Sequence, residues 1–276
     1  MNKKYVGIIY TILSAICFAT GGVLLKVNTW SSLSVSGFRS FFALLIFIIY
    51  MIIKKHPMKW NLQVWIGAIA NSLMSLLFIM AVRMTTAANA IVLQFTMPIY
   101  IIVFLWVLEK KKPQKASLIA TFFCLVGIAF FFFDSISAEG MLGNICALAS
   151  GFFYAIVFVI KRIPKSDFES SAVLSFAMNF LLGIPFLISE ADFGATNIWT
   201  GVALGIIQIG CAYIFLNAAL NKVSPIAASL LSMVEPILNP VLVAVFYGEM
   251  IGGISLIGAG IVLISAFCYN LFTKDG

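Results

Sequence analysis

The chain has 276 residues, of which 62% are hydrophobic and only 10% charged, with a formal net charge of +7. Soluble domains carry about 25% charged residues, so this composition excludes a soluble globular protein and predicts a polytopic membrane protein. The positive charge sits in connections between apolar runs, where membrane orientation explains it. A nucleic-acid partner is therefore not expected.

Each crossing needs about 20 apolar residues. The predicted spans are Tyr5 to Leu25, Val35 to Ile53, Val64 to Val82, Ala87 to Leu108, Ser117 to Phe133, Met141 to Ile160, Ala172 to Ile188, Ile198 to Leu220, Ile226 to Phe246 and Ile251 to Phe272. These ten leave no room for a separate soluble domain. The first run follows Met1 to Lys4 as in a secretory signal, but no Ala-x-Ala-like site closes it, which predicts a retained helix.

Alternate connections hold Lys54, Lys55 and Lys59, then Lys110, Lys111, Lys112 and Lys115, then Lys161, Arg162 and Lys165, then Lys222. Lys3, Lys4 and Lys274 belong to the same side. The other side keeps Lys26 and Arg83 with the acids Asp134, Glu139, Glu190 and Asp192. The asymmetry predicts a multi-pass protein of the cytoplasmic membrane with both termini cytoplasmic.

The two halves align at a nearly constant shift. Gly7, Ser14, Phe18, Ala19 and Lys26 pair with Gly143, Ser150, Tyr154, Ala155 and Arg162; Gly67, Ala90, Leu93, Pro98 and Val103 pair with Gly205, Ala228, Leu231, Pro236 and Val241. A repeat with an odd number of crossings must lie upside down relative to its copy. The predicted fold is an all-α integral membrane protein of ten transmembrane helices, arranged as two inverted five-helix repeats around a central cavity. Residues 1–138 form the first repeat and 139–276 the second, in one transmembrane unit. Secondary transporters use this plan, with the site near the midplane between the halves.

Polar groups in this apolar chain mark candidate site residues. Glu235 is a mid-span carboxylate, disfavoured by about 2.5 to 3.5 kcal/mol in lipid. It faces either a wet cavity, where it can exchange a proton, or a neighbouring helix that it ties down by hydrogen bonding. Pro98, Pro236 and Pro240 break helical hydrogen bonding and are candidate hinges, or bends that accommodate packing. Arg39 lies about one turn inside its span; it reads as a structural or charge-pairing residue, or as a contact for a substrate carboxylate. Asn71 and Ser75 share a face, as do Tyr213 and Asn217, with Gln208 close by. With Gln94, Tyr100, Tyr154 and Ser232, these are the predicted substrate-binding residues beside Glu235. Each singly is also read as helix glue.

Other features read as structural. Trp30, Trp60, Trp65 and Trp199 sit at span ends as interfacial anchors. Gly21 and Gly22 permit close helix approach. Cys17, Cys124, Cys146, Cys211 and Cys268 are odd in number and lack metal-ligand spacing. His56, alone in a basic connection, is expected to be solvated. No metal or cofactor is expected, and no nucleophile and base stand together, so an enzyme is not expected either.

On the alanine followed eight residues later by proline in the fourth and ninth spans (Ala90 and Pro98, Ala228 and Pro236), the small-polar-aromatic first and sixth spans, Arg39, and Pro236 followed by Gly248-Glu249 and Gly258, the chain resembles the EamA-type transporters of the drug/metabolite transporter superfamily. One departure stands out: Glu249 corresponds to Lys111, while the first-half acid Glu109 falls two residues earlier. The resemblance implies ten helices, a cavity lined mainly by spans one, three, four, six, eight and nine, and substrates such as amino acids and other small metabolites, often exported. The expected activity is secondary transport of a small polar metabolite by alternating access, with protons as a candidate coupling ion. The alternatives are an importer of the same fold and a non-transporting structural or regulatory membrane protein. The expected partners are a small-molecule substrate and the lipid bilayer, in a monomer or homodimer.

Overall fold

The computed structural model describes residues 3–85, 87–110, 112–133, 140–190, 192–247 and 252–273. The side chains of Lys26, Arg83 and Pro240 lie outside the described residues, as do Lys111, Asp134, Glu139, Gly248, Glu249 and Lys274 entirely. Among the described residues all regular structure is helical: α1 Lys3–Val27, α2 Ser32–Ile53, α3 Leu62–Met84, α4 Ala87–Gln94, α5 Met97–Glu109, α6 Lys115–Phe131, α7 Met141–Val159, α8 Phe168–Ile188, α9 Ala195–Ala203, α10 Ala212–Leu220, α11 Pro225–Ser232, α12 Glu235–Tyr247 and α13 Gly253–Phe272. Eight helical stretches in the described residues are long and apolar enough to cross a membrane. Two shorter apolar helices, Lys115–Phe131 and Pro225–Asn239, fall where two more spans were predicted.

Helix starts are set by side chains that accept orphan N–H groups. Ser31, Asn61, Asp167 and Ser224 cap α2, α3, α8 and α11 by accepting from the N–H of Ser34, Val64, Ser170 and Ala227. Pro225 follows Ser224 at the first helical position, where its missing N–H costs nothing.

Two breaks shape the centre. Between α4 and α5 the Thr96 N–H turns back to the Leu93 carbonyl and the Ile99 N–H to Thr96, with Pro98 between them. Between α11 and α12 the Val234 N–H bonds the Leu231 carbonyl and the Ile237 N–H bonds Val234, around Pro236. The aligned prolines thus remove a helical donor at the same place in each half. Pro240 falls inside α12, where the helix continues.

A third irregularity lies between α9 and α10, where Leu204–Cys211 is wound as a π-helix. Gly205 sits there because a Cβ would lie 2.5 Å from the Arg39 carbonyl oxygen on α2. The close approach explains the glycine and leaves Gln208 on the inward side.

α2 packs on α8 and α6 on α13; α7 packs on α3 and α4, and α1 packs on α10 and α12. With lipid as solvent, apolar burial does not drive such pairing, and small residues that let backbones approach matter more. Gly37 meets Gly183 where α2 crosses α8, and Gly127 meets Gly258 where α6 crosses α13. Large apolar side chains such as Ile49, Ile52, Phe122, Leu181, Phe246 and Ile264 face outward. Asn71, Gln94, Ser150, Asn179 and Asn217 are buried. Polar inside and apolar outside is the arrangement a lipid solvent requires.

Candidate functional site

Both helix breaks border one cavity. Gln94, the last residue of α4, and Glu235, the first of α12, line the same space of about 370 Å³, a size within the range of small-molecule sites. Its wall runs to the half-exposed Leu25 and Val82 and to Asn28 and Trp30, all at the α1–α2 end of the bundle. At the other end it stops at Tyr213, against which Phe18 and Phe176 pack edge-on at 5.6 and 5.2 Å and Phe168 is tilted at 6.0 Å.

Seven predicted binding residues line this space: Asn71, Ser75, Gln94, Tyr154, Gln208, Tyr213 and Glu235. Tyr213 donates to Asn71 Oδ1 at 2.5 Å. Gln94 donates to Ser150 Oγ at 2.7 Å, and Ser150 in turn donates to the Met74 carbonyl at 2.9 Å. Glu235 opens α12, a position where the helix dipole favours negative charge. Its Oε2 is buried and has no hydrogen-bond partner among the described residues.

Three predicted residues lie elsewhere. Tyr100 packs edge-on against Phe152 of α7 at 5.7 Å. Ser232 is buried at the end of α11, outside the cavity wall. Asn217, one turn beyond Tyr213, faces the lysine-rich end and donates to Glu169 Oε1 at 2.7 Å and to the Tyr50 hydroxyl at 3.3 Å. Tyr213 sits at the cavity floor, so a residue one turn further along α10 falls beneath it.

Arg39 lines the cavity rather than only bracing the fold. Its Nη1 donates to Gln208 Oε1 at 3.0 Å, while its Nε is buried without a partner among the described residues. Tyr213 lies within electrostatic reach of both Arg39 and Glu235. Gly21 serves this wall, since a Cβ there would meet Gln208, while a Cβ at Gly22 would meet Asn239 outside it. These glycines admit polar side chains against α1, which motif reading took as close helix approach.

Other wall residues escaped the sequence. Asn179, on α8, accepts from Ser72 at 2.5 Å and lines the cavity; a lone mid-span asparagine was the available signal. Trp30, expected as an interfacial anchor, is buried in the wall with Phe38 and Phe193 packed edge-on at 5.0 and 5.4 Å. His56 is not merely solvated, since its Nε2 pairs with Asp167 Oδ1 at 2.9 Å.

A sequence profile of the EamA-like transporter family matches residues 5–133 and again residues 141–271. The chain belongs to the EamA-like transporter family. Among its relatives, an uncharacterized transporter of Archaeoglobus fulgidus is 25% identical over 91% of this chain and 92% of its own length. The uncharacterized transporter YwfM of Bacillus subtilis is 29% identical over 75% of this chain and 74% of its own. Mouse solute carrier family 35 member G1 is 26% identical over 65% of this chain, which spans 53% of that larger protein. A solved crystal structure superposes with a TM-score of 0.85 over 98% of this chain and 99% of its own, at 16% identity, and so shares the fold. The protein is thus a multi-pass membrane transporter of the EamA-like type, with a small-molecule substrate and the lipid bilayer as its partners.

Proposed function

We propose that the protein is a secondary carrier that exports a small zwitterionic metabolite, an amino acid or a related compound, by alternating access. Ten crossings form two inverted five-helix repeats, residues 1–138 and 139–276, with both termini and the lysine-rich connections on the cytoplasmic side. Export is carried over from the family resemblance.

One observation carries the reading. A cavity bordered by two matched helix breaks holds a cation and an acid that each keep a buried atom without a partner among the described residues, Arg39 Nε and Glu235 Oε2. Buried polar atoms without partners are unfavourable by about 1 to 3 kcal/mol or more, so such a site favours a ligand that supplies the missing bonds. A carboxylate suits the Arg39 guanidinium and an ammonium suits Glu235. Tyr154 and Tyr213 add aromatic faces.

Glu235 is the proposed coupling residue: it takes up a proton from one side and releases it to the other as the halves rock. Each charge moved is worth about 2.3 kcal/mol per 100 mV. The experiment is uptake of radiolabelled amino acids into proteoliposomes under an imposed pH gradient. Wild-type flux should saturate and follow the gradient. Glu235→Gln should retain gradient-independent exchange and lose the response to pH, and Arg39→Gln should lose discrimination for substrates bearing a carboxylate. Gradient-driven flux at the wild-type rate in Glu235→Gln would remove the coupling role. Absence of saturable flux for every metabolite tested would remove the carrier itself.

A further inference from the structure

A second cavity, of about 540 Å³, lies at the lysine-rich end between α5, the α5–α6 connection, the turn after α7 and the α10–α11 connection. It shares no wall residue with the central cavity. We propose that it holds the phosphodiester headgroup of an anionic phospholipid.

The mouth of this cavity is cationic. Lys112, Arg162 and Lys222 come from three separate connections and line it against one carboxylate, Glu109. That carboxylate lies 3.6 Å from Arg162 and both partners are substantially exposed, so their pairing is weak and leaves Arg162 available to an anion. Two helices also begin here, α6 at Lys115 and α11 at Pro225, and their positive ends add to the field.

The inner wall has the opposite character, being built from Ile102, Leu105, Trp106 and Ile226. Trp106 is 51% exposed, beside the exposed Val103 and Val107 on the outer side of α5, so the apolar wall continues onto the lipid-facing surface. A soluble phosphate would use only the cationic mouth. A phospholipid uses both parts, its headgroup among the cations and the upper acyl chain against Trp106. Basic pockets between helix ends at a membrane surface recognise lipid headgroups in this way.

The test uses the purified full chain in a neutral detergent, titrated with phosphatidylglycerol, phosphatidylcholine or inorganic phosphate. It reads the midpoint of thermal unfolding and the lipid retained in native mass spectrometry. Phosphatidylglycerol should raise the midpoint and remain bound, and phosphatidylcholine should do neither. Lys112→Gln and Lys222→Gln should each weaken phosphatidylglycerol binding about fivefold. Glu109→Gln removes the opposing carboxylate and should tighten binding, which keeps the test informative if a lysine variant folds poorly. Equal effects of the two lipids, or unchanged phosphatidylglycerol affinity in all three variants, would overturn the proposal. Stabilisation by inorganic phosphate that matches phosphatidylglycerol and is lost in Lys222→Gln would reassign the cavity to a soluble anion and overturn it equally.

Discussion

Tyr213 on α10 donates a 2.5 Å hydrogen bond to Asn71 on α3, across the floor of the central cavity. The bond joins helices from the two halves at the level where Phe168 and Phe176 close around the Tyr213 ring. Interhelical hydrogen bonds of this kind contribute about 0.6 kcal/mol. Tyr213→Phe keeps the ring and removes the bond, and should shift the closed floor toward opening about threefold. In a cysteine-free background carrying Ser75→Cys, an impermeant maleimide applied from the lysine-rich face should label the Tyr213→Phe protein faster. Identical labelling rates would show that ring packing alone holds the floor.

The α2–α8 crossing predicts a stability effect far from any ligand. A Cβ at Gly37 would lie 2.7 Å from the Gly183 Cα, and one at Gly183 only 2.4 Å from the Gly37 Cα. Backbone atoms cannot rotate away, so the helices must separate. Gly37→Ala or Gly183→Ala should destabilise by about 1 to 3 kcal/mol. A Cβ at Gly260 meets nothing within 4 Å, so Gly260→Ala is the control that should leave the unfolding midpoint unchanged or slightly raised. Thermal unfolding in detergent compares all three, and equal midpoints would contradict the close approach.

Asp167 predicts a pH dependence. It caps α8 by accepting from the Ser170 N–H at 2.9 Å and the Ser170 hydroxyl at 2.6 Å, and it pairs with His56 at 2.9 Å and with Lys59 at 3.2 Å. Burial works against its charge, but the bonds from Ser170, His56 and Lys59 outweigh it and hold the carboxyl below its ordinary value. A folded-state value lower than the unfolded one, about 3.9, stabilises the protein fully above the unfolded value. That stabilisation drains away as pH falls through the folded value. Asp167→Asn should therefore lower the unfolding midpoint at neutral pH, and the gap to wild type should shrink as pH drops below about 4. Asp167→Ala also loses the cap and should cost about 1 kcal/mol more. A gap that stays constant with pH would mean that the charge contributes nothing.

The apolar runs, the lysine asymmetry and the two-copy pattern were legible in the sequence, because crossing a bilayer demands long apolar stretches and places cations in particular connections. The breaks were legible too: Pro98 and Pro236 lack the N–H that a continuous helix needs, and the chain turns at both. The resemblance to the EamA-type transporters, stated on those same residues, agrees with the family profile that covers the chain twice.

Helix rotation was not legible. Asn71 and Asn217 read alike, yet one meets Tyr213 in the cavity wall and the other meets Glu169 beyond the floor. Arg39, near a span end, gave no sign that Gln208 from the π-helical turn would meet it. His56 and Asp167 are separated by more than a hundred residues and pair only because α2 and α8 cross. In a chain apolar on nearly every face, periodicity offers little contrast to say which side turns inward. Sequence determined that the chain enters the membrane, how its charges lie and where its helices break; only tertiary packing, through glycine crossings and interhelical hydrogen bonds, decided which polar groups share the cavity.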